Sequence, residues 1–142
     1  MIILDVNVLI YAYSADIAQH AKTALWLENR LAGTDLIGLP WQTTWGFIRI
    51  STHARLWPHP GTVKQVFGIV RSLLARPNVT AVNPGPRHAE ILERLVADHQ
   101  AAGSLVPDAA LAALAFENGA ELASCDQDFS RFTGLRWINP LA

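Results

Sequence analysis

Short apolar runs alternate with longer segments of helical periodicity along this chain. The run at residues 1–4 is continuous and the run at 121–125 is largely apolar, and both are typical of buried strands of a parallel sheet. We predict strands at residues 1–5, 36–39, 79–82, 121–125 and 135–138. We predict helices at residues 8–12, 18–32, 41–52, 62–75, 86–100 and 107–118. Strands that alternate with helices indicate an α/β fold, with a short central parallel sheet flanked by helices on both faces.

Composition narrows the class of protein without naming a function. The 142 residues suit one domain, and 51% of them are apolar, so a sizeable core is available. The net charge of −1 excludes a strongly basic nucleic-acid surface, although acids gathered at a metal site would leave the remaining surface mildly basic. The one cysteine, Cys125, cannot form an internal disulfide and suits a reducing cytoplasm. We find no sequence pattern of a signal peptide or a membrane span.

Four aspartates occupy positions at which an α/β protein gathers its functional groups. Asp5 and Asp126 each follow an apolar run directly, and Asp128 comes two residues later. Asp108 follows Pro107 at the start of a predicted helix. The carboxyl ends of parallel strands and the adjacent helix starts meet at one edge of the sheet. Carboxylates collected there repel one another unless a hard cation such as Mg²⁺ or Mn²⁺ neutralises them. This pattern predicts a metal site that acts on a phosphate ester.

Simpler structural roles compete with a site role for several of these residues. Asn7 is as well placed to cap a helix as to serve a site. Asp108 after a proline is an ordinary helix-start signal, and a polar turn would account for Asp128. Ser124 could hydrogen-bond either an adjacent carboxylate or a substrate phosphate. Asp5 is harder to explain structurally, because a carboxylate beside a buried strand needs a partner.

Basic residues offer contacts for phosphate. Arg49 and His53 lie four positions apart and so share a helix face. They could bind substrate phosphate, with Arg49 as a bidentate donor. A solvated face, or a pair with a site carboxylate, explains them equally well. Arg55 and His59 follow in a loop and could add phosphate contacts.

The chain is rich in tryptophan, and two uses are open to these side chains. Helical spacing explains Trp41 and Trp45 as residues that pack in the core or at an interface. Trp57 lies in a proline-flanked loop and is the best candidate for stacking on a base. The apolar stripe of residues 62–75 likewise fits either an interface or simple packing on the core.

Several segments, taken in order, resemble a PIN domain and specifically a VapC-type toxin ribonuclease of a type II toxin–antitoxin system. The resemblance covers essentially the whole chain. The matching segments are ILDVNVL at 3–9, LPW at 39–41, FIRIST at 47–52, VPDA at 106–109, SCDQDFSRF at 124–132 and GLRW at 134–137. Each segment is weak alone, and their order and spacing make the match specific.

This resemblance implies a single PIN domain over residues 1–142 with Mg²⁺- or Mn²⁺-dependent endoribonuclease activity on RNA. Asp5, Asp108 and Asp126 match the acidic positions of the family, and Asp128 is a possible accessory metal ligand. The resemblance also implies a homodimer and a VapB-like antitoxin. One departure is Gly46, because many members carry a glutamate three residues before the arginine of the third helix.

A partner of this kind would find clustered carboxylates with few neighbouring lysines. Its arginine or lysine could pair with Asp5, Asp108 or Asp126 and exclude the metal. Aromatic residues such as Trp41, Trp45 and Trp57 could anchor its apolar segment.

Two other functions compete with the nuclease. Gly46 in place of the glutamate would fit a weakened PIN domain that binds RNA or a partner without cutting. A haloacid-dehalogenase-like phosphatase also begins with a strand and an Asp-x-Asp pair. That second function is disfavoured, because Asn7 replaces the second acid and the lysines, Lys22 and Lys64, fall in helical segments.

Overall fold

The computed structural model describes residues 1–53 and 60–142. Its strands are β1 (Ile2–Leu4), β2 (Ile37–Pro40), β3 (Val79–Val82), β4 (Glu121–Ala123) and β5 (Trp137–Ile138). Its α-helices are α1 (Val6–Tyr13), α2 (His20–Ala32), α3 (Trp41–Ser51), α4 (Val63–Leu74), α5 (His88–Asp98) and α6 (Val106–Glu117). Short 3₁₀ helices cover Gly103–Leu105 and Gln127–Arg131. Within these described ranges, no helix is both long enough and apolar enough to cross a membrane.

All five strands pair in parallel, in the order β3-β2-β1-β4-β5. The strand nearest the N-terminus is therefore central, with Ile3 opposite Gly38 on one side and Leu122 on the other. Glycine is required at position 38, because a Cβ there would come within 3.0 Å of side chains on β1 and β3. The predicted α/β class with a parallel sheet is confirmed.

Alternating side chains of β1 divide the core into two layers. Ile2 and Leu4 pack with the buried faces of α1 to α4, whereas Ile3 packs against α5 and α6. Ala109, Ala112, Ala113 and Ala115 of α6 have no exposed surface. Small side chains let this helix lie close to the sheet, which fixes its first turn at the sheet edge.

Helix α4 packs on the core and also leaves apolar side chains exposed, and the interface suggested for it stays a prediction. Val66, Val70 and Leu73 are buried in the core. Val63 and Phe67 remain exposed on the same helix. The helix begins with a capping box, in which Thr62 and Gln65 satisfy each other's backbone N–H groups. Its apolar stripe is therefore wider than the core contact requires.

Several predicted boundaries differ from the observed ones. Helix α1 is capped by Asp5, so the prediction that Asn7 caps it is wrong. Strand β4 ends at Ala123, two residues earlier than predicted, where the chain turns and Ser124 reaches Asp5. The suggested roles of Arg55, Trp57 and His59 lie outside the described residues.

Candidate active site

Asp5 lies at the carboxyl end of the central strand and caps α1. Its Oδ1 accepts a hydrogen bond from the backbone N–H of Val6 at 2.6 Å. Its Oδ2 accepts from the hydroxyl of Ser124 at 2.7 Å and from the amide of Asn7 at 2.9 Å. Only 9% of the residue is exposed. Burial raises the pKa of Asp5, these hydrogen bonds oppose the rise, and the charge of Asp126 adds to it.

Ser124 and Asn7 form a polar brace around this carboxylate. The Ser124 hydroxyl accepts from the Asn7 amide at 3.1 Å and from the backbone N–H of Asp126 at 3.0 Å. The Asn7 Oδ1 accepts from the backbone N–H of Cys125 at 3.0 Å. Of the two roles open to Ser124, contact with a carboxylate is the one observed. The side chain is fully buried and has no surface with which to touch a substrate phosphate.

Asp126 and Asp128 project from the turn that follows β4. Asp126 caps the 3₁₀ helix, and its Oδ1 accepts from the backbone N–H of Asp128 at 2.8 Å. Asp128 is exposed and lies 3.6 Å from the guanidinium of Arg131. The polar turn proposed as a simpler explanation of Asp128 is therefore present. In this turn, the carboxylate oxygens of Asp126 and Asp128 that are not hydrogen-bonded face solvent, because both residues are exposed.

Asp108 lies in the first turn of α6 and completes the acidic group. Burial, and after it the charges of Asp5, Asp126 and Asp128, raise the pKa of Asp108 to about 6. The charge of Arg131 opposes this rise. The sequence analysis missed Arg131 as a member of the site, although its position one turn after Asp128 is a detectable signal. The structure thus brings together all four aspartates singled out from the sequence.

The first turn of α3 is hydrogen-bonded to β1 and to α6, the two elements that position the more buried acids of the group. The Thr43 hydroxyl donates to the carbonyl of Leu4 at 2.7 Å, directly before Asp5. The Gln42 amide donates to the carbonyl of Pro107 at 2.9 Å, directly before Asp108. These two contacts hold α3 beside the acidic group. A polar pair at a helix start is the only signal for them in the sequence.

The donor set fits a hard divalent cation in chemistry. Neighbouring carboxylates contribute to the raised pKa values of Asp5 and Asp108, a cation would relieve this repulsion, and oxygen ligands suit Mg²⁺ and Mn²⁺. Across residues 1–53 and 60–142, no three acidic, histidine or cysteine side chains already form a compact metal site. A bound cation would therefore require the exposed carboxylates Asp126 and Asp128 to turn toward Asp5 and Asp108.

Gly46 faces α1 rather than open space. A Cβ at this position would lie 3.1 Å from a methyl group of Val6, the residue after Asp5. Arg49 is exposed on α3. The helix ends at Ser51, so His53 lies beyond it, and the prediction that His53 shares a helix face with Arg49 is wrong. Trp41 and Trp45 are 39% and 65% exposed, so packing in the core is wrong for both. Their side chains contact each other, with ring centroids 6.4 Å apart.

Comparison with known proteins places these features in a family. The PIN domain family matches residues 2–135. The chain is 40% identical over 142 residues to Ribonuclease VapC37 of Mycobacterium tuberculosis, covering 100% of this chain and 99% of that one. It is 38% identical over 141 residues to Ribonuclease VapC33 of the same species, with 99% of both chains covered.

Solved structures show the same fold at much lower identity. A structure of VapBC-1 from nontypeable Haemophilus influenzae aligns over 100% of both chains, with a TM-score of 0.73 and 19% identity. A structure of VapBC2 from Rickettsia felis bound to a promoter DNA fragment aligns over 98% of both chains, with a TM-score of 0.71 and 16% identity. These matches confirm the PIN-like fold.

Proposed function

Because the chain belongs to the PIN domain family and to its VapC-type toxin ribonucleases, we propose that it is an endoribonuclease that hydrolyses phosphodiester bonds in RNA. It acts as the toxin of a toxin–antitoxin pair. The single observation that carries this proposal is the acidic group at the carboxyl edge, where Asp108 keeps a pKa of about 6 among three other carboxylates. Repulsion within such a group destabilises the folded protein, so its presence indicates a functional site.

We propose Mg²⁺ or Mn²⁺ as the cofactor, held by Asp5, Asp108 and Asp126 with Asp128 as an accessory ligand. When bound, the cation lowers the pKa of water and stabilises the charge that develops on the phosphate. Asp5 is the fixed member, because three hydrogen bonds hold its carboxylate. Asp5 or Asp108 orients the attacking water as a hydrogen-bond acceptor.

The residues around the acids divide into positioning and binding roles. Ser124 and Asn7 hold the Asp5 carboxylate in one orientation, so we assign both as positioning residues rather than as direct substrate contacts. Arg49, on the exposed side of α3, and His53, exposed just beyond the end of that helix, supply phosphate contacts to the substrate. A guanidinium is suited to this role because it donates two parallel hydrogen bonds to a phosphate.

Cleavage of RNA by acid-site variants tests the proposal. Asp5→Asn and Asp108→Asn keep shape but remove ligand charge, so cleavage should fall by orders of magnitude while circular dichroism stays unchanged. The matched control is Asp98→Asn, an exposed aspartate on α5, which should cleave at the wild-type rate. Chelation should abolish wild-type activity, and added Mg²⁺ or Mn²⁺ should restore it. Wild-type rates in Asp5→Asn would refute the metal site.

Gly46 suggests a second function that has to be tested, in which the domain binds RNA without cutting it. The close approach of Gly46 to Val6 leaves little room for a glutamate in this arrangement. RNA binding without cleavage, in wild-type protein supplied with either metal, would support this alternative. Metal-dependent cleavage would exclude it.

We propose a VapB-like antitoxin as the protein partner, supported by likeness to structures described as VapBC. A groove of about 600 Å³ between α1, α3 and α4 offers space for an apolar segment, with Phe47, Val66 and Ile69 in its lining. Gly68 also lines the groove, and a Cβ added there meets nothing within 4 Å. Gly68→Leu should therefore fill the groove, whereas Gly68→Ala is its control.

Growth on expression, with and without the small open reading frame beside the gene, tests this partner. Rescue of growth should occur for wild type and Gly68→Ala and fail for Gly68→Leu. Equal growth of cells that express folded wild-type protein with or without the neighbour would remove the toxin assignment. A homodimer is also proposed, and sedimentation that shows only monomer at micromolar concentration would contradict it.

A further inference from the structure

The exposed face of α3 carries an aromatic pair and a cation in one stripe. Trp41, Trp45 and Arg49 follow one another at intervals of four residues, so they lie on successive turns of the helix. All three are exposed, and Trp45 is the most exposed large apolar residue among those described, at 65%. Exposing two neighbouring indole rings to water is unfavourable in free energy, so an exposed pair of this kind indicates a binding surface.

The stripe lies beside the acidic group rather than at a remote surface. Gln42, between the two tryptophans in sequence, is hydrogen-bonded to the residue that precedes Asp108. Gly46, directly after Trp45, faces the residue that follows Asp5. The helix face that continues from the acidic group is therefore the one that carries Trp45 and Arg49. A chain that crosses the acids and leaves along α3 must pass over these side chains.

We propose that this stripe binds the unpaired RNA next to the scissile phosphate, with bases stacked on Trp45 and Trp41 and a phosphate on Arg49. This inference rests on the ribonuclease function proposed above. Two aromatic rings followed by a cation match the chemistry of single-stranded nucleic acid, in which apolar base faces lie beside charged phosphates. An apolar segment of a protein partner is less well matched, because Arg49 places a charge at the end of the stripe.

Each side chain of the stripe has a different role, so each substitution should reduce the affinity for RNA in a different way. Trp45→Ala removes a stacking surface and should weaken binding of a single-stranded oligonucleotide by about tenfold. Trp45→Phe keeps a ring and should retain most of the affinity. Arg49→Gln should weaken binding of all sequences and reduce the salt dependence of the binding constant by about one charge. Leu25→Ala, which alters an exposed apolar residue on α2, is the matched control and should change nothing.

Binding is measured with a random-sequence 2′-O-methyl RNA of about 12 nucleotides, a length that covers a site of this kind and resists cleavage. Quenching of tryptophan fluorescence and anisotropy of a labelled strand give the dissociation constant. A second strand carries abasic positions throughout its central half. Abasic RNA should bind wild type about tenfold more weakly than intact RNA, and it should lose little further affinity to Trp45→Ala.

Three results would overturn the inference. The first is equal affinity of wild type and Trp45→Ala for intact RNA. The second is equal loss of affinity for intact and abasic RNA, because a stacking residue cannot act without a base. The third is conversion of a wild-type dimer to a monomer by Trp45→Ala in sedimentation, which would make the stripe an interface between copies of this chain. Wild-type cleavage of natural RNA, abolished by Asp108→Asn, leaves the proposed function standing in each case.

Discussion

Replacing Asp108 by asparagine should stabilise the metal-free protein at neutral pH. The carboxylate is half-buried at the start of α6 and shares the sheet edge with Asp5, Asp126 and Asp128. Without a cation, its negative charge is opposed by desolvation and by three like charges. Asparagine keeps the size of the side chain and removes the charge. The variant that loses activity should therefore be the more stable protein, as expected where function and stability conflict.

The magnitude follows from the pKa of Asp108, which rises from an ordinary value of 3.8 to about 6. A change of this size corresponds to about 3 kcal/mol if it is fully expressed as stability. Because the side chain is half-exposed, solvent screening reduces the expected gain to about 1 kcal/mol. For a domain of this length, that gain raises the melting temperature by about 3 °C.

The direction of the pKa shift of Asp108 determines how its contribution to stability changes with pH. Between pH 3.8 and about 6, the folded protein binds the Asp108 proton more often than the unfolded chain does. The contribution of Asp108 to stability therefore falls as pH rises through this window and stays low above it. Asparagine does not titrate, so the gain of Asp108→Asn over wild type should be small near pH 4 and complete above about pH 7.

Urea denaturation of both proteins in the presence of chelator, across this pH range, measures the difference. Added Mg²⁺ should reduce or reverse the gain, because a ligand that binds only the folded wild type stabilises it. Asp98→Asn controls for the loss of any exposed negative charge. A variant no more stable than wild type above pH 7, or a gain that is equal at all pH values, would refute the reasoning.

Other changes probe the brace and the helix contacts. Ser124→Ala removes the hydroxyl that donates to Asp5, and it should lower the free energy of unfolding by about 1–3 kcal/mol in urea. Gly68→Ala should raise stability by about 1 kcal/mol, because alanine favours helix and its Cβ meets nothing within 4 Å. Gly46→Ala gains the same propensity but places a Cβ 3.1 Å from a methyl group of Val6, so its melting temperature should fall below that of Gly68→Ala. Equal melting temperatures for the two glycine variants would show that α1 and α3 separate without cost.

The order of strands and helices, and the gathering of the aspartates, could be predicted from the sequence. Apolar runs identified β1 and β4 as buried parallel strands, and the acids that follow them had to share an edge. Placing Asp108 with the other acids required one further inference, namely that an alanine-rich helix packs close to the sheet. All of these inferences depend on periodicity and on the rules of parallel sheets, which are local or topological.

Side-chain orientation was beyond this reasoning. Four-residue spacing shows that Trp41 and Trp45 share a helix face, but it does not tell which face is buried. In the structure, Thr43 and Thr44 take the buried side of the first turns of α3, and both tryptophans are exposed. Likewise, Asp5 rather than Asn7 caps α1, because the preceding strand already fixes the backbone of residue 5. Such choices are decided by tertiary contacts rather than by propensity.

The position of β1 at the centre of the sheet has a consequence for synthesis of the protein. Ser124, which braces Asp5, is translated 119 residues after it. Until β4 has left the ribosome and inserted beside β1, that edge of β1 is unpaired and two of the acids have no fixed place. The acidic group is therefore assembled only after β4 has been synthesised and has paired with β1, although the strand that precedes Asp5 is made much earlier.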